Sequence, residues 1–169
     1  GLKVAEQMTP EQKADRARKG AQARWGARQL QATHKGSFQQ EFGIDVDCYV
    51  LNDQNKTAVI HQRGMGQALG LGESGSRLPR FVSGKAISNY LGPEIRQKLE
   101  NPIIFQGLSA GLGGAPSTVH GYDVTLLIDL CKAIVQAESD GALMHHQAPV
   151  ARQAHIILSA SAKAGIKGL

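Results

Sequence analysis

Two cysteines in 169 residues, with no C-x-x-C spacing, give no support to a disulfide framework or a zinc knuckle. Cys48 and Cys131 sit in apolar surroundings and read as plain thiols of a reduced, cytoplasmic compartment. No apolar run approaches the roughly 18 residues that mark a membrane span. The opening GLKVAEQMTPEQKA lacks the apolar segment of a signal peptide, so a soluble intracellular protein with no membrane partner is expected. At 169 residues and 41% hydrophobic, the chain is long enough for one sizeable core and too short for two ordinary domains.

What the chain does have is a lopsided charge. Residues 1–36 hold eight basic groups against three acids and so carry the whole net charge of +5. Residues 37–169 hold eleven of each and are neutral. The basic arm has a legible helix start: Thr9 is a good N-cap, Pro10 suits the first helical position, and Glu11 suits the positive dipole end. Its apolar face, Ala14, Ala17, Ala21 and Trp25, is small, and Gly20 and Gly26 weaken it. The expectation is a helix that forms only partly before it meets a partner, followed by a linker, QATHKGS.

The folded body begins near Phe38. Two β-rich runs, Val46 to Leu51 and Thr57 to Ile60, flank the turn-forming NDQN and predict a hairpin. HQRGMGQALGLG reads as a short helix stopped at Gly70 to Gly72, and ESGSRLPR as a loop. FVSGKAISNYLG and PEIRQKLEN are two short helical pieces, NPIIFQ a strand, and GLSAGLGGAPS a flexible segment. Asp123 is the N-cap of a long helix in which Thr125, Asp129, Lys132 and Gln136 form a polar stripe opposite Leu127, Leu130, Cys131, Ile134 and Val135. After the Asp140-Gly141 turn a second helix starts near Pro149, with Val150, Ala154, Ile157, Leu158 and Ala162 on one face. The pair predicts a helical hairpin.

Three patterns imitate chemistry. His146 and His155 are nine residues apart, about 900° around a helix, so they diverge, and with His145 they read as surface or interface histidines rather than a metal site. Gly107-Leu108-Ser109-Ala110-Gly111 matches G-x-S-x-G, with Asp123 and His145 following in hydrolase order, but the glycine-rich LGGAPSTVHG after it offers no helix for a nucleophile elbow. Gly70, Gly72 and Gly75 fit G-x-G-x-x-G, yet they follow a helix instead of a strand, which removes the dinucleotide reading. No catalytic residue, metal ligand set or cofactor is expected. What remains is basic: Lys13, Arg16, Arg18, Lys19, Arg24 and Arg28 in the arm, and Arg77, Arg80 and Lys85 in the body. Such groups hold phosphates through charge-assisted bonds; the plain alternative is a solvated cationic surface.

The segments CYVLNDQNKTAVI, HQRGMGQALGLG, RLPRFV, HGYDVTLLIDLCKAI and QAHIILSASAKAGIKGL resemble the phage- and prophage-associated P-sixty-three-C domain family over roughly residues 43–169. The strongest marker is Gly121-Tyr122-Asp123 with its spacing to Cys131. That family has no settled activity to carry over. The resemblance implies a domain that runs on past Leu169 into an acidic, glycine-tyrosine segment, so this chain would be part of a longer one. GMGQALGLGESGSRLPRFV is similar to the short helix and following basic segment of Bro amino-terminal domains in phage antirepressors, a region associated there with DNA binding. The matching positions are Met65 to Leu69, Arg77 and Arg80.

The combined expectation is an α+β fold. A single domain over 37–169, with a small antiparallel hairpin or sheet and a C-terminal helical hairpin, follows a basic helical arm and linker over 1–36. The function expected is that of a non-catalytic, nucleic-acid-binding regulatory protein of a phage or mobile element, with DNA ahead of RNA as partner. A module that modulates a host complex is the alternative, with a host or phage protein as partner, and a hydrolase built on Ser109 ranks last. A homo-oligomer is compatible with either of the first two.

Overall fold

The stretch QATHKGS, expected as a linker, is instead the first strand of the sheet. The protein is described by a computed structural model for residues 9–11, 14, 30–39, 43–72, 74–108 and 117–167. In it β1 (Ala32–Ser37) pairs antiparallel with β2 (Asp47–Leu51). Every residue of β1 after Ala32 is exposed, so no hydrophobic alternation announced it. Pairing holds it instead: the Gln31 N–H donates to Asn52 Oδ1 and the Asn52 N–H to the Gln31 carbonyl, each at 3.0 Å. Lys35, counted with the arm, belongs to β1 and pairs with Asp47 at 3.2 Å. The arm therefore ends before Leu30. Pro10, Glu11 and Ala14 are helical and exposed, and the rest of the expected arm helix lies outside the described residues.

β2 and β3 (Ala58–His61) form the expected hairpin, with Tyr49 opposite Val59. Its turn is held by the Asp53 carboxylate, which accepts from the Thr57 N–H at 2.8 Å and from the Thr57 hydroxyl. The helix α1 (Gln62–Ala68) follows at once and turns out at Gly70 and Gly72, whose φ of +77° and +97° favour glycine.

The next segment corrects the reading of ESGSRLPR as a loop, because RLPRFVS is the helix α2 (Arg77–Ser83). Pro79 is compatible with this helix. It stands at the third helical position, where the N–H it lacks has no partner within the helix. The short α3 (Lys85–Ser88) and α4 (Pro93–Glu100, with Pro93 opening it) are the two expected helical pieces, and β4 (Ile103–Gln106) is the expected strand. β5 (Thr118–Asp123) was not expected. Its sequence TVHGYD is broken by Gly121, which reads as loop on propensity.

The strand order is β1-β2-β3-β5-β4, antiparallel throughout. A parallel bridge between Gln31 and Gln106, with the Gln106 N–H donating to the Leu30 carbonyl at 2.8 Å, curls the sheet so that its two edges meet at one end. Alternation along the strands then feeds two cores. Ala32, Leu51, Val59 and Phe105 form a small cluster inside the curl, with the Tyr49 and Phe105 rings tilted together at 5.7 Å. Ile60 and Tyr122 face the other way, into the main core beneath the helices.

That core is built on α5 (Val124–Ser139) and α6 (Ala148–Lys167), joined through the Asp140-Gly141 turn and a 3₁₀ turn, His145–Gln147. This is the expected helical hairpin. Leu127, Leu130, Cys131 and Ile134 are fully buried, while Thr125, Lys132 and Gln136 are exposed and Asp129 is half-buried. Burial pushes the Cys131 thiol up to about 12, so it acts as a core side chain. On α6, Val150, Ala154 and Ile157 are buried as expected, and Ala162 is exposed.

Two substitutions check these placements. Leu127→Ala should cost about 2 to 5 kcal/mol in a denaturant titration, whereas Gln136→Ala on the polar stripe should stay within about 0.5 kcal/mol; equal losses would mean that α5 faces the other way. A Cβ at Gly121 would meet the Ile60 carbonyl oxygen at 2.7 Å and the Phe105 ring at 3.1 Å. Gly121→Ala should therefore destabilise by about 1 to 3 kcal/mol through overpacking, and a variant as stable as the wild type would show that β3 and β5 are not so closely paired.

Candidate nucleic-acid interface

The basic residues of the body are placed by α1, its glycine stop and α2. At the start of α1 the His61 ring caps the helix, Nδ1 accepting from the Gly64 N–H at 2.7 Å. Gly64 has to be glycine, since a Cβ there would sit 2.9 Å from Val46 Cγ1 and 3.1 Å from the His61 ring. Desolvation is the main cause holding the His61 imidazole below its ordinary titration range, which keeps Nδ1 free to accept.

Met65, Ala68 and Leu69 then anchor α1 in the main core. At the stop, Gly70 lies against the start of α6: a Cβ there would be 3.9 Å from Gln153 Cβ and 4.0 Å from the Pro149 carbonyl oxygen. Leu78 and Phe81 bury one side of α2, so Arg77 and Arg80, one turn apart, stand exposed on the neighbouring side. Neither arginine has a carboxylate partner among the described residues.

Between α2 and the start of α6 lies a cleft of about 490 Å³. Arg77 and Arg80 line one wall; His146 and Gln147, from the 3₁₀ turn, line the other. Leu71, Phe81 and Val150 supply its apolar surface, and none of the described lining residues is acidic. The Gln147 Oε1 accepts from the Met144 N–H at 2.8 Å, which leaves its amide N–H groups to donate. Lys85 is exposed just past Gly84, at the start of α3, and does not line the cleft.

The structure thus gathers Arg77 and Arg80 and leaves Lys85 beside them. Lys13, Arg16, Arg18, Lys19, Arg24 and Arg28 lie outside the described residues. Sequence reasoning missed two further groups. Arg63 reaches the loop before α2, its Nε 3.9 Å from the Cβ position of Gly75, and only the pairing of α1 with α2 could have revealed it. His146 was read as a surface or interface histidine; it is exposed and lines the cleft.

The patterns that imitate chemistry stay apart. Asp123 caps α5, accepting from the Thr125 N–H and hydroxyl at 2.8 Å each, and His145 lies past the far end of that helix. A helix of that length puts roughly 24 Å between them, so they do not meet around a serine; Ser109 itself lies outside the described residues. His155 instead bonds Glu138 across the helical hairpin, Nε2 to Oε1 at 2.8 Å. Among the described residues no three His, Cys, Asp or Glu side chains gather as a metal site, and no helix is long and apolar enough to cross a membrane.

The His61 cap carries a pH dependence. Its folded value is depressed, so the unfolded chain takes up a proton first; the cap's contribution is present above about pH 6.5, where a free imidazole titrates, and is lost as pH falls through the folded value. His61→Asn keeps an acceptor at the cap and should flatten that part of a stability curve between about pH 7 and 5. An unchanged curve would mean that His61 does not titrate with unfolding. Compared with protein-family models, with curated proteins and with solved structures, the chain gives no match.

Proposed function

We propose that the chain is a non-catalytic, nucleic-acid-binding regulatory protein of a phage or mobile element. It holds DNA phosphates through its basic arm and through Arg77, Arg80 and Lys85 of the body. One observation carries this reading: two exposed arginines on one face of α2, with no acidic partner among the described residues, in a body over 37–169 that has no net charge. Cations left unneutralised at a fixed spacing favour a polyanion, and phosphate contacts supply most of the affinity of such complexes.

The two parts contribute differently. Residues 1–29 hold seven basic groups against three acids, a concentrated charge with little apolar surface to dock it. α2 is anchored by Leu78 and Phe81, so its arginines are presented in one geometry and fix register on the phosphates. The similarity of this segment to the Bro amino-terminal domains of phage antirepressors supports DNA as the polyanion. The resemblance to the P-sixty-three-C family supports the phage setting.

The test is a salt series. If about four arm groups neutralise phosphates, log affinity for duplex DNA should fall against log salt with a slope of roughly −3 to −4. Removing residues 1–29 should flatten it; the cut must stop there, because Leu30 and Gln31 already bond the sheet. Arg77→Gln with Arg80→Gln should reduce the slope by about 0.9 for each phosphate no longer neutralised. Specificity needs a further step, competition between a fragment of the source element and random DNA, in which only the fragment should compete strongly. Absence of any complex at low salt would sink the nucleic-acid reading and favour a protein-interaction module.

A further inference from the structure

We propose that the cleft between α2 and the start of α6 is a binding site for a single terminal phosphate carried on a mononucleotide. The mononucleotide is either free or the phosphorylated end of a strand. The inference rests on the reading above for the assignment of Arg77 and Arg80 to phosphate, and it narrows what those arginines hold.

Charge is the first argument. A phosphodiester inside a strand carries one negative charge, whereas a phosphomonoester carries about 1.5 to 2 and offers three acceptor oxygens. Arg77 and Arg80 bring two positive charges to one wall, and no described lining residue is acidic. Two guanidinium forks match a terminal phosphate in charge and in oxygens better than they match a diester.

Shape is the second. At about 490 Å³ the cleft lies within the roughly 300 to 1,000 Å³ typical of small-ligand sites. A concavity of this size has room for one nucleotide. Its lining is also chemically mixed. Leu71, Phe81 and Val150 are apolar and suit a sugar and base, while His146 and Gln147, whose amide N–H groups are not used in its bond to Met144, bring polar groups. Gln147 is held in place by its bond to the Met144 N–H, so that donor is preset.

The experiment is calorimetric titration of the full chain with a nucleoside 5′-monophosphate, the same nucleoside, and inorganic phosphate. The monophosphate should bind at least about tenfold more tightly than either fragment, since each charge-assisted bond or buried face removed costs about that factor. Arg80→Gln and His146→Ala, both at exposed positions, should each weaken it by about tenfold. Lys132→Gln, an exposed cation on α5 outside the cleft, should leave it unchanged.

Competition then separates the two sources. Displacement by a 5′-phosphorylated single strand and not by its 5′-hydroxyl twin assigns a strand end; displacement by neither assigns a free nucleotide, and both results support the site. Binding of the monophosphate no tighter than inorganic phosphate, or an equal loss with Lys132→Gln and Arg80→Gln, overturns it. If duplex DNA still binds in an Arg77- and Arg80-dependent way after such a failure, only this inference falls. If the monophosphate binds and DNA does not, the nucleic-acid reading falls and the site remains.

Discussion

The close approach of β5 to β3 at Gly121 is the constraint on which the rest of the molecule depends. The Ile60 carbonyl and the Phe105 ring leave no room for a Cβ there, so both strands that flank β5 are set by one missing methyl group. The next residue converts sheet position into helix position. The Tyr122 hydroxyl donates to the Leu99 carbonyl at 2.9 Å and accepts from Gln62 Nε2 at 3.0 Å, tying the end of α4 and the start of α1 to β5. Asp123 then caps α5. Three consecutive residues thus place the sheet, two short helices and the long core helix relative to one another.

How much of this was legible followed from how each element is stabilised. α5 could be read residue by residue, because its burial repeats at helical spacing and its cap is a side chain visible in the sequence. The β2–β3 hairpin carried its own turn chemistry in Asp53 and Thr57. β1 and β5 left no such trace. β1 is held by backbone pairing and by Asn52, with its side chains after Ala32 exposed, and β5 contains the glycine that local propensity counts against a strand. Both are fixed by what lies beside them, and one chain read alone does not say what lies beside what.

The same division runs through the candidate site. Arg77 and Arg80 were legible as a basic pair, but their segment read as a loop, which leaves their spacing open. As a helix anchored by Leu78 and Phe81, the segment holds them on one face. Arg63 and His146 come from α1 and from the turn before α6, so their proximity to this pair exists only in the folded chain. Lys35 moved in the opposite direction: it looked like part of the arm's charge and is occupied by Asp47.

Because the cleft has walls from two separate segments, its shape is tied to the main core. One wall is α2, which follows the glycine stop of α1; the other is the 3₁₀ turn that links the two core helices. Gly70, whose positive φ turns the chain, lies between them against the start of α6. Rotating α2 would expose Leu78 and Phe81, and shifting the turn would displace Val150, so either motion loses buried apolar surface. The body therefore presents its cations in a geometry set before any partner arrives, which lowers the ordering cost of binding. Residues 1–29 differ in composition, holding seven basic groups against three acids. On the proposed function, the arm's charge supplies long-range attraction for a polyanion and the cleft fixes how it is held.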